Sequence, residues 1–264
     1  MYTFFIVIFV QIILESFPVS SSGHILLLEH FLQFFYSSTI IAASENKIVS
    51  YFLHGPTVAI LTIFFWDRWT FLVKHIATVW KIIFKIIAFV FVADLASFFW
   101  YLLFKYKVNI SDFPVGVGFL ISFVCLYSLR FLKRETYETL TWQKALLIGL
   151  CQGIALLPGV SRFGLTFVVG CWLGLPAKKS FEFSFAIQWP LILAGFIKSI
   201  IKLSSVDAHM FFNICTLLIT LISSIVAFYS LHLVYMLALT NRLWIFSIIL
   251  LGSFGCWVIL SFLG

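Results

Sequence analysis

Long apolar runs alternate along this chain with short polar or basic links. The first two runs, Met1 to Leu14 and Ile25 to Tyr36, enclose Glu15-Ser16-Phe17-Pro18-Val19-Ser20-Ser21-Ser22-Gly23-His24. Pro18 and Gly23 break the helical pattern there, and broken backbone at membrane depth is tolerated only against protein or a water-filled cavity. Six further runs predict membrane spans: Tyr51–Trp66, Ile86–Phe104, Phe113–Leu129, Phe181–Ile200 with a kink at Trp189-Pro190, Phe211–Tyr235 and Leu243–Phe262. One more interval, between Lys144 and Lys178, has an intermediate length of about thirty residues. One crossing needs roughly 20 residues and two with a turn need over about 40, so this interval should enter and leave on one side. Its tip is Pro158-Gly159-Val160-Ser161-Arg162-Phe163-Gly164.

Charge assigns sides to these elements. The link with Arg68, Lys74, Lys81 and Lys85, and that with Arg130, Lys133, Arg134 and Lys144, are basic and therefore cytoplasmic. Counting from them puts residues 37–49 outside, so residues 1–36 dip in from the outer face and 145–177 from the cytoplasmic face. The two tips share V-S-x-x-G (Val19 to Gly23, Val160 to Gly164), which predicts an inverted-topology repeat with the ligand site where the tips meet. The expected fold is all-α: one integral membrane domain over 1–264, about six transmembrane helices plus two re-entrant helical hairpins.

Composition agrees and narrows the class. Of 264 residues, 62% are hydrophobic and only 10% charged, too little charge to cover a soluble domain. The net charge of +7 reports membrane orientation before it reports nucleic acid, which is not an expected partner. The first run lacks a basic start and is not read as a cleaved signal. Five cysteines scattered singly through apolar segments give neither a disulfide framework nor a metal site.

Titratable groups at membrane depth mark function by default. Gln11 and Glu15 fall four apart on one helical face. His24 suits general acid or base work, and Ser20, Ser21 and Ser22 offer a hydroxyl nucleophile beside it. Arg162 carries the planar fork that suits phosphate or carboxylate, next to glycines whose N–H groups form anion nests, with Ser161 and Thr166 as neutral donors. Its structural alternative is pairing with Glu15 or Asp94. An acid, a hydroxyl, an imidazole and a guanidinium together fit phosphoryl transfer or phosphoester hydrolysis. Broken-helix repeats also build secondary transporters, so a transporter of a lipid phosphate or other anion is the competing reading. A soluble-type P-loop, a zinc motif and a dinucleotide fingerprint are absent from the sequence.

The motifs Q-I-I-L-E-S-F-P-V-S-S-S-G-H (Gln11 to His24) and P-G-V-S-R-F-G-L-T (Pro158 to Thr166) resemble the two signatures of the bacterial undecaprenyl-diphosphate phosphatase family, BacA/UppP type. The flanking A-L-L-I-G-L-C-Q-G-I-A-L-L and F-E-F-S-F stretches resemble it too, and His54-Gly55-Pro56-Thr57 is similar to its H-x-G-T stretch. The resemblance implies hydrolysis of a C55 prenyl diphosphate to the monophosphate and inorganic phosphate, recycling the carrier for cell-wall synthesis at the bacterial cytoplasmic (inner) membrane. It implies catalytic roles for Ser21, His24 and Glu15, and phosphate binding by Arg162, Ser161, Thr166, Ser20 and Gly164. It also implies a divalent cation, Mg²⁺ or Ca²⁺, at Glu15 and Gln11. Whether Ser21 or His24 is the nucleophile stays open, with Ser21 favoured. The expected partners are the prenyl diphosphate and membrane lipids, and the expected assembly is a homodimer. Three positions depart from the family pattern: Phe163 replaces a serine, Ser247-Ile248 replaces Tyr-Arg, and the Ile86–Phe104 run lacks the usual small residues and proline.

Overall fold

The computed structural model describes residues 2–36, 47–107, 113–132, 138–203 and 211–263. Twelve α-helices follow one another among them. They are α1 (Tyr2–Leu14), α2 (Ser21–Tyr36), α3 (Lys47–Phe52), α4 (His54–Phe64), α5 (Trp66–Lys74), α6 (Ile76–Lys107) and α7 (Val115–Ser128) in the first half. The second half holds α8 (Trp142–Ile154), α9 (Arg162–Trp172), α10 (Ala177–Lys202), α11 (Ile214–Leu239) and α12 (Phe246–Leu263). No strand occurs among the described residues.

Among the described residues, four stretches are long and apolar enough to cross a membrane: Ile76–Tyr106, Ala177–Lys202, Ile214–Leu239 and Leu243–Phe262. A fifth arises if Ile48–Phe64 and Trp66–Lys74, bent by 61°, cross as one. The chain is thus a multi-pass membrane protein. Two expectations change in detail. The run at Phe113–Leu129 forms the shorter α7, because Pro114 caps it in extended backbone and Leu129–Phe131 tightens into a 3-10 turn. Lys81 and Lys85, expected in a link, lie on the long helix α6. Their ammonium groups rest over the rings of Trp80 and Phe89, at 5.8 and 5.5 Å, so long stems carry charge along an apolar helix. The link at residues 37–46, and with it most of the outside assignment for 37–49, lies outside the described residues, as do 133–137.

The two hairpins are built alike. α1 and α8 have 13 residues each, about 20 Å of helix, well short of a ~30 Å hydrocarbon core. Both end by tightening: Ser16 and Phe17 donate to Ile13 and Leu14, and Ala155, Leu156 and Leu157 donate to Gln152, Gly153 and Ile154. Each second leg then starts on a serine N-cap. Ser20 Oγ accepts from Gly23 N at 3.2 Å, and Ser161 Oγ accepts from Gly164 N at 3.1 Å. The shared V-S-x-x-G is therefore a capping device.

Helix pairing repeats with the halves exchanged. α1 packs on α11 as α8 packs on α6; α4 packs on α11 as α10 packs on α6. α2 meets α12 as α9 meets α7, while α7 pairs with α12 and α10 with α3 and α4. Exchange of partners between halves is the pairing expected of a two-fold repeat. Two hydrophobic clusters fill it, one centred on Phe119, Phe163, Phe167, Phe181 and Phe185, the other on Phe89, Ile148, Leu165, Phe183 and Ile187.

Candidate active site

The two broken tips meet at the centre of this arrangement. A Cβ built on Gly23 would lie 2.7 Å from Gly159 Cα, and one on Gly164 would lie 2.9 Å from the Pro18 carbonyl. Only glycine permits backbones this close, and Gly159 also adopts φ +85°. Ser122 on α7 ties the second tip in place, accepting from Ser161 N at 2.8 Å and donating to Gly159 O at 3.2 Å.

Glu15, at the end of the first leg, is buried at 7% exposure. Thr57 donates to Oε2, Gln11 Nε2 reaches Oε1 at 3.5 Å, and His54 Nδ1 stands 2.6 Å from Oε1. That last approach lies off the N–H direction, so it is a close polar contact rather than an aligned hydrogen bond. Gln11 Nε2 also donates to Ser50 O at 3.1 Å and Ser50 Oγ at 3.3 Å. The pair Gln11 and Glu15 does share one face, as four-residue spacing requires.

His24 is clamped at both ring nitrogens. Nδ1 lies 2.7 Å from the Ser20 carbonyl and Nε2 lies 2.9 Å from Ser253 Oγ on α12, while the ring stands edge-on to Phe119 at 5.0 Å. A carbonyl only accepts, so Nδ1 carries the hydrogen and Nε2 is the basic nitrogen of the neutral ring. Ser253 Oγ–H has two acceptors in reach, Nε2 and Ile249 O at 2.9 Å. Ser21 opens α2 and makes no hydrogen bond with His24 among the described residues. Ser22 Oγ meets Ser20 Oγ at 3.2 Å.

Arg162 opens α9. Its Nε is buried without a hydrogen-bond partner, and no ion pair reaches it among the described residues. The structural pairing with Glu15 or Asp94 is therefore not formed, although both carboxylates and Tyr51 stand near enough to act on its charge. Asp94 instead accepts from Gln152 Nε2 at 3.1 Å. Thr166 Oγ donates into its own helix, to Arg162 O at 3.0 Å and Phe163 O at 3.2 Å. Phe163 stacks on Phe185 at 4.4 Å and meets Phe181 edge-on at 5.3 Å. That position belongs to the aromatic core, so the exchange of serine for phenylalanine leaves the donors around Arg162 in place.

The donor set bears on the implied cation. Glu15 is one carboxylate with both oxygens engaged, Gln11 presents Nε2, and no group of three His, Cys, Asp or Glu gathers among the described residues. This fits a hard cation only when substrate phosphates bring most of the oxygens.

Sequence reasoning named the two tips and gave their supports no role. His54 and Thr57 lie one helical turn apart on α4, a spacing visible in the sequence. Gln152 stands eight residues before Val160 as Gln11 stands eight before Val19, so extending the repeat would have found it. Ser253 carries no motif signal at all.

Fold and site together define the class: an all-helical, multi-pass membrane protein whose two broken hairpins bring an imidazole, a carboxylate and an unpartnered guanidinium to one place. The family profile described as bacitracin resistance protein BacA matches residues 4–254. An undecaprenyl-diphosphatase from Thermosipho africanus (strain TCF52B) is 27% identical over 247 residues, covering 90% of this chain and 91% of that protein. One from Borrelia recurrentis (strain A1) is 29% identical over 260 residues, 92% of each chain. One from Aquifex aeolicus (strain VF5) is 31% identical over 198 residues, 73% of this chain and 72% of that protein. The chain belongs to the BacA family.

Proposed function

We propose that this chain is an undecaprenyl-diphosphate phosphatase of the bacterial cytoplasmic membrane, releasing inorganic phosphate and the lipid monophosphate used again in cell-wall synthesis. The observation that carries this reading is Arg162: its buried Nε has no hydrogen-bond partner among the described residues, on a tip that meets the one carrying a clamped imidazole, in a family with relatives that bear that name. An anion transporter needs the guanidinium but has no use for an imidazole with one nitrogen held basic.

In this reading Arg162 takes two oxygens of the terminal phosphoryl group, and the positive end of α9 adds to its pull. Ser161, Ser20 and Gly164 hold the backbone frame around that phosphate, and Thr166 fixes the first turn of α9. Ser21 attacks the terminal phosphorus, the bridging P–O bond breaks, and the lipid monophosphate leaves with the bridging oxygen. His24 Nε2 receives the Ser21 proton after exchanging Ser253 for Ser21, and a water then cleaves the phosphoserine. Glu15, held by His54 and Thr57, with Gln11, would keep a divalent cation (Mg²⁺ or Ca²⁺) shared with the diphosphate. When bound, that ion neutralises phosphate charge.

The same reading places the hairpins at residues 1–36 and 145–177 as re-entrant from opposite faces, and the chain as a homodimer. Cysteines flanking the second hairpin, near 140 and 178, should both be protected from an impermeant thiol reagent in intact cells. Labelling of the two from opposite sides would overturn that topology. The activity itself is tested by phosphate release from a long-chain prenyl diphosphate by the purified chain in detergent.

A further inference from the structure

Helices α9 and α10 carry the same three-part pattern around their circumference. On α9, Phe163, Phe167 and Val168 join the aromatic cluster, while Leu165 and Val169 join the second cluster. At about 100° per residue, the strip between these faces falls on Arg162 and Thr166. On α10, Phe181, Phe185 and Ile192 join the aromatic cluster, while Phe183 and Ile187 join the second. The strip between them is Ser184 and Gln188. The two helices are in register, since Phe163 stacks on Phe185 and Ser180 Oγ donates to Phe167 O at 2.7 Å. Ser184 and Gln188 therefore flank the level of Arg162, on the strip that faces it.

Both residues are buried, at 1% and 7% exposure, yet Ser184 Oγ and Gln188 Oε1 have no hydrogen-bond partner. Arg162 Nε shares that condition. Buried polar atoms are normally bonded, and three unpartnered ones along one seam call for a ligand. The set is mixed: the guanidinium only donates, the serine hydroxyl donates or accepts, and the glutamine carbonyl accepts.

We infer that Ser184 and Gln188 form the far wall of the phosphate site, and that Gln188 makes it selective for a phosphate that carries a proton. Arg162 and the Ser184 hydroxyl donate to phosphate oxygens, and Gln188 Oε1 accepts from a P–OH group. Inorganic phosphate keeps at least one P–OH near neutral pH and a terminal phosphoryl with a second pKa of roughly 6 keeps one in a minor fraction, whereas sulfate is fully ionised there and leaves the carbonyl unsatisfied. Sites that offer a buried polar partner reject ligands unable to meet it. The inference rests on the phosphatase reading and adds to it a specificity device. The same chemistry serves the lipid's terminal phosphoryl or the released inorganic phosphate.

The test is direct binding of inorganic phosphate and of sulfate to the full chain in detergent, at matched ionic strength and near neutral pH. Wild type should hold phosphate at least about 10-fold more tightly than sulfate, a comparison that needs no variant. Gln188→Leu should erase the discrimination, and Ser184→Ala should weaken phosphate by about 10-fold. A raised KM for prenyl diphosphate in the same variants assigns the wall to the lipid's phosphoryl. An unchanged KM with weaker phosphate inhibition assigns it to the product. Equal binding of phosphate and sulfate by wild type, or wild-type phosphate binding by both folded variants, overturns the inference. Failure of wild type to hydrolyse prenyl diphosphate, with discrimination intact, would instead count against the phosphatase reading.

Discussion

The two hairpin tips share a backbone and differ in what they hold. Both end a short leg in a tightened turn, cap the next helix with serine, and use a glycine to approach the other tip. In the first, every reactive group except Ser21 is already engaged: Glu15 by His54, Thr57 and Gln11, and His24 by the Ser20 carbonyl and Ser253. In the second, Arg162 has no ion pair and its buried Nε no hydrogen bond among the described residues, although Glu15 and Asp94 stand near enough to act on its charge. In the proposed reading, one tip is assembled before substrate arrives and the other is completed by it. Preorganised groups act on charge as it develops, and an unpaired guanidinium supplies the anion's place.

Removing the reactive groups of the first tip should have the largest effect. His24→Ala and Ser21→Ala should each abolish nearly all phosphate release from prenyl diphosphate while the protein remains folded. Near-wild-type release by either variant removes that residue from the mechanism. Next comes the contact that makes the tips one site. Gly23→Ala forces its Cβ onto Gly159 and should cost about 1–3 kcal/mol of stability as well as activity. Gly252→Ala on α12 meets nothing within 4 Å, so it should be neutral or slightly stabilising. Thermal unfolding in detergent distinguishes them, and equal midpoints for the two would mean that the tips do not need their close approach. The cation is tested last, where Gln11→Glu should have the smallest effect. Gln11→Glu adds a carboxylate beside Glu15 and should lower the metal concentration for half-maximal activity, while Glu15→Gln should raise it sharply or stop turnover. A titration after chelator treatment reads both, and activity that survives the chelator would exclude this pair as the metal site.

Much of this was legible in the chain because apolar runs and broken tips are local features. Glu15, His24 and Arg162 stood out because charge at membrane depth is costly. The partners were not legible. Ser253 lies 229 residues from His24, and Thr57 lies 42 from Glu15, so only folding brings them together. The hydroxyls also take local roles that sequence alone did not show: Ser20 and Ser161 accept from backbone N–H groups and Thr166 donates to its own helix, because short side chains at a helix start bond to nearby backbone. Phe163 departs from the family pattern, and one helical step turns it into the aromatic core. Lys81 and Lys85 looked like a link because charge marks loops, and their long stems let them ride a helix instead.

The central claim is that the second tip is completed by the phosphate of a prenyl diphosphate, held by the Arg162 fork. Steady-state phosphate release by wild type and Arg162→Lys, in detergent with a long-chain prenyl diphosphate, tests it most directly. Lysine keeps the charge and loses the two-pronged geometry, so the account predicts a loss of at least ~100-fold, about 3 kcal/mol of transition-state stabilisation. Release by Arg162→Lys within a few-fold of wild type, or none from folded wild type with its cation supplied, would contradict it.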